Sequence, residues 1–188
     1  MKNSICVFLA IAMSAFSLYA QSKHERKGKT EASVVPPFEN TNSDVRTQIN
    51  SVLTAYYEMK DALVADNEKA TSTQAKAFRK TLEAVDMTKM TSAEHSFFMP
   101  LLTRLDYDAE HIQGSPNIDH MREHFVSFSE NMFALVKTFK ANNGTPVYYI
   151  HCPMYNKGAN WISSEEKIKN PYFGKQMLTC GKVTETLK

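Results

Sequence analysis

Apolar residues recur at helical spacing through most of the chain, and they predict four helices. In the first, Val45, Ile49, Val52, Leu53, Tyr56, Met59 and Leu63 fall on one face, with Ser43 or Asp44 as the N-cap. Asp66 or Asn67 ends it and can cap the second, whose face carries Ala70, Ala77, Phe78, Leu82 and Val85. The third begins near Thr91-Ser92, where Glu94 is placed for a capping box. Its apolar face is Phe97, Phe98, Leu101, Leu102, Leu105, Ala109 and Ile112. Pro100 removes a backbone donor and should kink this helix or delay its start. Gly114-Ser115-Pro116 breaks the chain before a fourth helix, from Asn117 to about Ala141. That helix presents Ile118, Met121, Phe125, Phe128, Met132, Leu135, Val136 and Phe139 to one side, and Asn142-Asn143-Gly144 stops it.

Short links between consecutive helices favour antiparallel neighbours. The expected fold is all-α, an antiparallel up-and-down four-helix bundle with an irregular C-terminal segment that contains one short strand. The helical aromatics and methionines read as core. After Gly144 the period changes, and the β-branched and aromatic stretch from Thr145 to His151 predicts the strand. Tyr155 to Asn160 reads as a loop and Ser163 to Glu166 as a short helical turn, while Asn170-Pro171-Tyr172-Phe173-Gly174 marks a chain reversal.

The N-terminus has its own pattern. Met1-Lys2-Asn3, the apolar run Ile5 to Ala15 and the small residue Ala20 form a secretory signal peptide, expected over 1–20 with cleavage after Ala20. A retained signal anchor is the alternative, but the run is shorter than the about 20 apolar residues a permanent span needs. Cys6 would leave with the peptide. Residues 21–42, with a basic run from Lys23 to Lys29 and Pro36-Pro37, predict a flexible linker. The helical domain then covers 43–188, with its Cys- and Met-bearing segment at 145–182. The expected location is the periplasm, with no permanent membrane span after cleavage.

A net charge of +2 without a concentrated basic face argues against a nucleic-acid partner. No G-x-S-x-G, P-loop or dinucleotide glycine fingerprint occurs. His151 beside Cys152 points to the opposite face of a strand, and no third residue would orient it as a catalytic base. A non-enzymatic role is therefore expected.

The remaining chemistry is soft. Cys152 and Met154 are two apart, which places both side chains on one side of an extended chain. Met177 and Cys180 are three apart, suited to a helical turn or tight loop. Thiolates and thioethers select Cu(I) and similar ions over Mg or Ca. A Cys152–Cys180 disulfide is a direct rival, because export permits it. It would stabilise by roughly 3–4 kcal/mol in the chain-entropy picture. His120 and His124, four apart on the fourth helix, stack two imidazoles on one face, a spacing used by helical metal ligands but shared with solvent-facing residues of any amphipathic helix. His95 and His111 read as surface residues.

Several stretches together resemble one bacterial family. They are Ala62-Leu63-Val64-Ala65-Asp66, Arg122-x-x-Phe125 with Ser129, His151-Cys152-Pro153-Met154, Gly158-Ala159-x-Trp161, Ile168-x-Asn170-Pro171-Tyr172-Phe173-Gly174 and Met177-Leu178-x-Cys180-Gly181. The family is an exported domain of unknown function that also extends the C-terminus of HlyD-type adaptors in heavy-metal efflux pumps. The resemblance implies a helical periplasmic domain that handles copper or another heavy metal. It places the family's Cys and Met positions at Cys152, Met154, Met177 and Cys180, with His120 and His124 in its fourth-helix pattern. The implied partner is a heavy-metal efflux adaptor or another periplasmic protein, although this chain lacks the adaptor's own hairpin and lipoyl-like half.

Overall fold

The structure is a computed structural model that describes residues 35–188. The expected signal peptide and residues 21–34 of the expected linker lie outside the described residues. The helices are α1 (Ser43–Val64), α2 (Glu68–Glu83), α3 (Ser92–Gly114) and α4 (Ile118–Phe139), with a 3-10 turn at Met87–Lys89. Strands β1 (Val147–Cys152), β2 (Ala159–Ser163) and β3 (Lys182–Leu187) follow, with a second 3-10 turn at Gly174–Gln176 before β3. No helix among the described residues is long and apolar enough to cross a membrane.

Each helix starts where a side chain can satisfy its orphan N–H groups. Asn42, one residue before the predicted cap, accepts from Asp44 N at 2.9 Å. Asn67 accepts from Ala70 N at 2.9 Å, and Asn117 takes Asp119 N and His120 N at 2.8 and 3.2 Å. Thr91 and Glu94 form the predicted capping box. α3 begins at Ser92 and runs on through Pro100, so its start is not delayed. Pro100 and Ser96 both lie on the exposed face, where water can serve the carbonyl that Pro100 leaves without a donor.

The helices form a bundle in which α1 packs on α2, α2 on α3, α3 on α4, and α4 back on α1. Tyr56, Met59, Phe78, Phe98, Phe125, Phe128 and Phe139 are fully buried between them. The Tyr56 ring stacks on Phe125 and Phe128 at 5.4 and 5.7 Å. Phe38, inside the expected linker, lies on the bundle: its N–H donates to Thr138 O at 2.8 Å and its ring meets Phe139 edge-on at 5.2 Å.

The C-terminal segment differs from the expectation of one strand. It forms a three-stranded antiparallel sheet in the order β2-β1-β3, so the fold is mostly helical rather than all-α. β2 is buried at Ala159 and from Trp161 to Ser163, which erases the alternation that announces a strand. β3 alternates exposed and half-buried positions but is short and polar, and it forms by pairing with β1. β2 packs against α4. Tyr149 of β1 stacks on Phe133 of α4 at 3.8 Å. The Tyr56 hydroxyl shares a hydrogen bond with Ser129 Oγ at 2.8 Å and accepts Ile162 N–H at 3.2 Å, tying α1, α4 and β2 at one buried point.

A second tie is ionic. Arg122 of α4 is 5% exposed. Its Nε donates to Pro171 O at 2.9 Å, and its Nη2 donates to Leu63 O at 3.2 Å and to Asp66 Oδ1 at 2.6 Å. Asp66 also accepts Lys175 N–H at 3.1 Å. Burial pushes the Asp66 carboxyl up, but the Arg122 hydrogen bond and its allies outweigh that and hold it below the usual carboxylate range. Gly174 sits in the left-handed region (φ +51), and a Cβ there would overlap the Asp66 carboxylate.

Arg122→Ala removes the guanidinium donors from Pro171 O, from Leu63 O and from the partly buried Asp66 carboxylate. We expect it to cost roughly 3 kcal/mol and to lower the thermal midpoint by about 6–12 °C, read by circular dichroism. Because folding depresses the Asp66 pKa, its contribution is complete above the ordinary carboxylate range and is lost as pH falls through that range. Asp66→Asn should therefore be less stable than wild type at neutral pH, and the gap should close on acidification below about pH 4.

Candidate functional site

β1 and β3 are adjacent, with His151 opposite Lys182. This register carries the residues just before β3 alongside the end of β1, and it brings Cys152 and Cys180 together. Their Sγ atoms are 3.4 Å apart and both are free thiols. A disulfide needs about 2.05 Å. Two thiolates sharing a tetrahedral ion, with metal–sulfur bonds of about 2.3 Å, stand about 3.8 Å apart. The observed separation is nearer the second arrangement.

The two sulfurs are not equivalent. Burial pushes the Cys152 thiol up, but the Met154 N–H and then the Cys180 thiol, the Tyr155 N–H and the Asn170 side chain stabilise its thiolate. The net effect places it below the usual thiol range. Cys180 moves the other way, because its hydrogen bond to Cys152, followed by burial and the nearby charge, keeps its proton on. The pair is therefore asymmetric, with Cys152 the readier of the two to lose its proton.

Asn170 arranges the other side of the pair. It is fully buried. Its Nδ2 donates to Cys180 O at 2.7 Å, and its Oδ1 accepts Tyr172 N–H and Phe173 N–H at 2.8 and 3.3 Å. Its own N–H donates to Leu178 O at 2.8 Å. Gly181, at φ +147, lets the chain leave Cys180 against the Trp161 ring, where a Cβ would stand 2.7 Å from Trp161 Cη2, a contact only glycine avoids.

The methionines are arranged differently from the strand expectation. β1 ends at Cys152 and the chain bends through Pro153 and Met154, so the Met154 N–H rather than strand alternation faces Cys152. The Met154 side chain is 63% exposed, and Met177 and Leu178 are 37% and 39% exposed. Among the described residues, three of the five exposed large apolar side chains thus lie in the thiol segment. His151 turns to β2, where Nδ1 meets Asn160 Oδ1 at 2.8 Å.

His120 and His124 meet a different neighbour, His111 of α3. Ring centres are 4.6 Å apart for His111 and His124 and 4.8 Å for His120 and His124. Tyr107 lies 4.1 Å from His111. The buried carboxylate of Asp108 holds His124 Nδ1 at 3.0 Å and Ser127 Oγ at 2.7 Å. Sequence reasoning placed His111 at the surface and overlooked Asp108. The local signal was their three-residue spacing, which puts both on the α3 face that meets α4. Among the described residues, no three His, Cys, Asp or Glu groups already surround one ion position.

Asn170→Ala should leave three backbone groups unpaired and free the Cys180 loop. We expect a loss of roughly 2–3 kcal/mol and faster alkylation of Cys180, followed by mass spectrometry on reduced protein.

No curated protein and no solved structure matches the chain. A family model does: the family described as a protein of unknown function (DUF3347) matches residues 52–144, from within α1 through α4 to the glycine that follows it.

Proposed function

We propose that this is a periplasmic soft-metal binder, with Cu(I) as the leading ion, acting as a chaperone or buffer for a heavy-metal efflux system. Cys152 and Cys180 supply the thiolates. Met154 and Met177 are the candidate thioethers, and the role is binding rather than catalysis. The observation that carries the reading is the pair of sulfurs at 3.4 Å, with backbone donors drawing the Cys152 thiol below its usual range. Accessible thioethers beside a recessed thiol pair suit an ion that is received from one partner and passed to another. The cyclic packing of the four helices supports an antiparallel bundle as the scaffold. Export by the N-terminal segment and an efflux adaptor as partner belong to the same proposal.

An anaerobic Cu(I) competition titration against a chromogenic chelator tests it. Wild type should take one Cu(I), and the Cys152→Ser, Cys180→Ser variant should bind at least about a hundredfold more weakly. Equal binding by the two proteins sinks the assignment. Because the two sulfurs are neighbours, a second reading is a Cys152–Cys180 disulfide that pins the segment for a non-metal interaction. A quantitative two-hydrogen mass difference on reduction of protein taken from the periplasm would select that reading.

A further inference from the structure

We infer a second metal site on the helices, formed by His111, His120 and His124, that takes a divalent ion of the imidazole-preferring class: Zn(II), Cu(II) or Ni(II). It does not rest on the thiol reading, since it uses other residues, other elements and another class of ion.

The first observation is the state of the rings. Each imidazole has its Nδ1 against an oxygen: Tyr107 O at 2.8 Å for His111, Glu123 Oε2 at 3.2 Å for His120 and Asp108 Oδ1 at 3.0 Å for His124. A carbonyl or an ionised carboxylate only accepts. Nδ1 therefore carries the proton in all three, and Nε2 is the ring nitrogen left to face a ligand. An oxygen on Nδ1 with Nε2 free is the usual arrangement of a metal-ligating histidine, because the partner fixes the tautomer and strengthens the donor.

The second observation is spacing. Two imidazoles on one tetrahedral ion have ring centres roughly 5 Å apart. His124 has one neighbour at 4.6 Å and the other at 4.8 Å, so it is the centre of the group. His124 is fixed by Asp108, while His111 and His120 lie toward the surface and line an open cavity of about 510 Å³ together with Glu110. That space lets the two outer rings turn, exchanging their present Nδ1 contacts for convergence of their Nε2 atoms with that of His124.

The third observation is charge. Asp108 is 5% exposed, and its hydrogen-bond partners are His124 and Ser127. A buried carboxylate needs a cation. A metal ion on His124 Nε2 supplies that charge through the ring without requiring His124 to be protonated.

The test uses the Cys152→Ala, Cys180→Ala protein, so that thiols contribute nothing and failure of the thiol reading leaves the outcome unaffected. Calorimetric titration with Zn(II) should give one ion per chain. His124→Ala should weaken it at least about tenfold, and Asp108→Asn, which touches no metal, about tenfold. Where His124→Ala loosens the helices, His111→Gln and His120→Gln at the surface give the same reading. In long-range nitrogen–proton spectra, the Nε2 signals of all three histidines should shift on Zn(II) addition. The inference is overturned if Zn(II), Cu(II) and Ni(II) all fail to bind, if the histidine variants bind as the parent does, or if those Nε2 signals stay in place.

Discussion

The buried Arg122 guanidinium is the constraint on which the rest depends. It leaves α4 and reaches the end of α1 through Leu63 O and Asp66, and the C-terminal segment through Pro171 O. Burying a guanidinium is costly, and its cost is met only because each of these acceptors is fixed in place. The geometry then propagates. Pro171 follows Asn170, whose side chain positions the Cys180 carbonyl. Asp66 in turn forbids a side chain at position 174, so the turn that leads back to β3 needs glycine. An ion pair between two helices thus fixes where a sulfur sits more than fifty residues away in sequence.

The same scaffold holds two donor chemistries in two ways. The sulfurs are brought together by strand register, and the local backbone, through the Met154 and Tyr155 N–H groups, tunes Cys152. The imidazoles are brought together by helix packing, and a carboxylate from the opposite helix orients the central ring. The two groups of side chains therefore sit on separately built surfaces, and a change in one need not disturb the other.

How far the sequence could be read follows from the range of the interactions. The helices were legible because amphipathic period and capping are local: Thr91 and Glu94 announce their capping box within four residues. The sheet was not, because β2 is buried nearly throughout and β3 depends on pairing with β1. Residue type alone pointed to Cys152 and Cys180, which do meet. Alternation failed for Met154, because the chain bends immediately after Cys152. His111 looked like a surface residue since nothing near it in sequence reveals that α4 will lay His124 against it.

The family match ends at residue 144, whereas the structure recognises no such boundary. The hydroxyl of Tyr56, within the match, accepts Ile162 N–H from beyond it, and Arg122 Nε donates to Pro171 O. Without the C-terminal segment, the bundle would expose the apolar face of α4 that β2 covers and would leave the Arg122 Nε without its acceptor. Conversely, a three-stranded sheet of this size has no core of its own apart from what α4 provides. The helices and the thiol-bearing segment must therefore fold as one cooperative unit, and the position of Cys180 relative to Cys152 reports on the integrity of the whole domain.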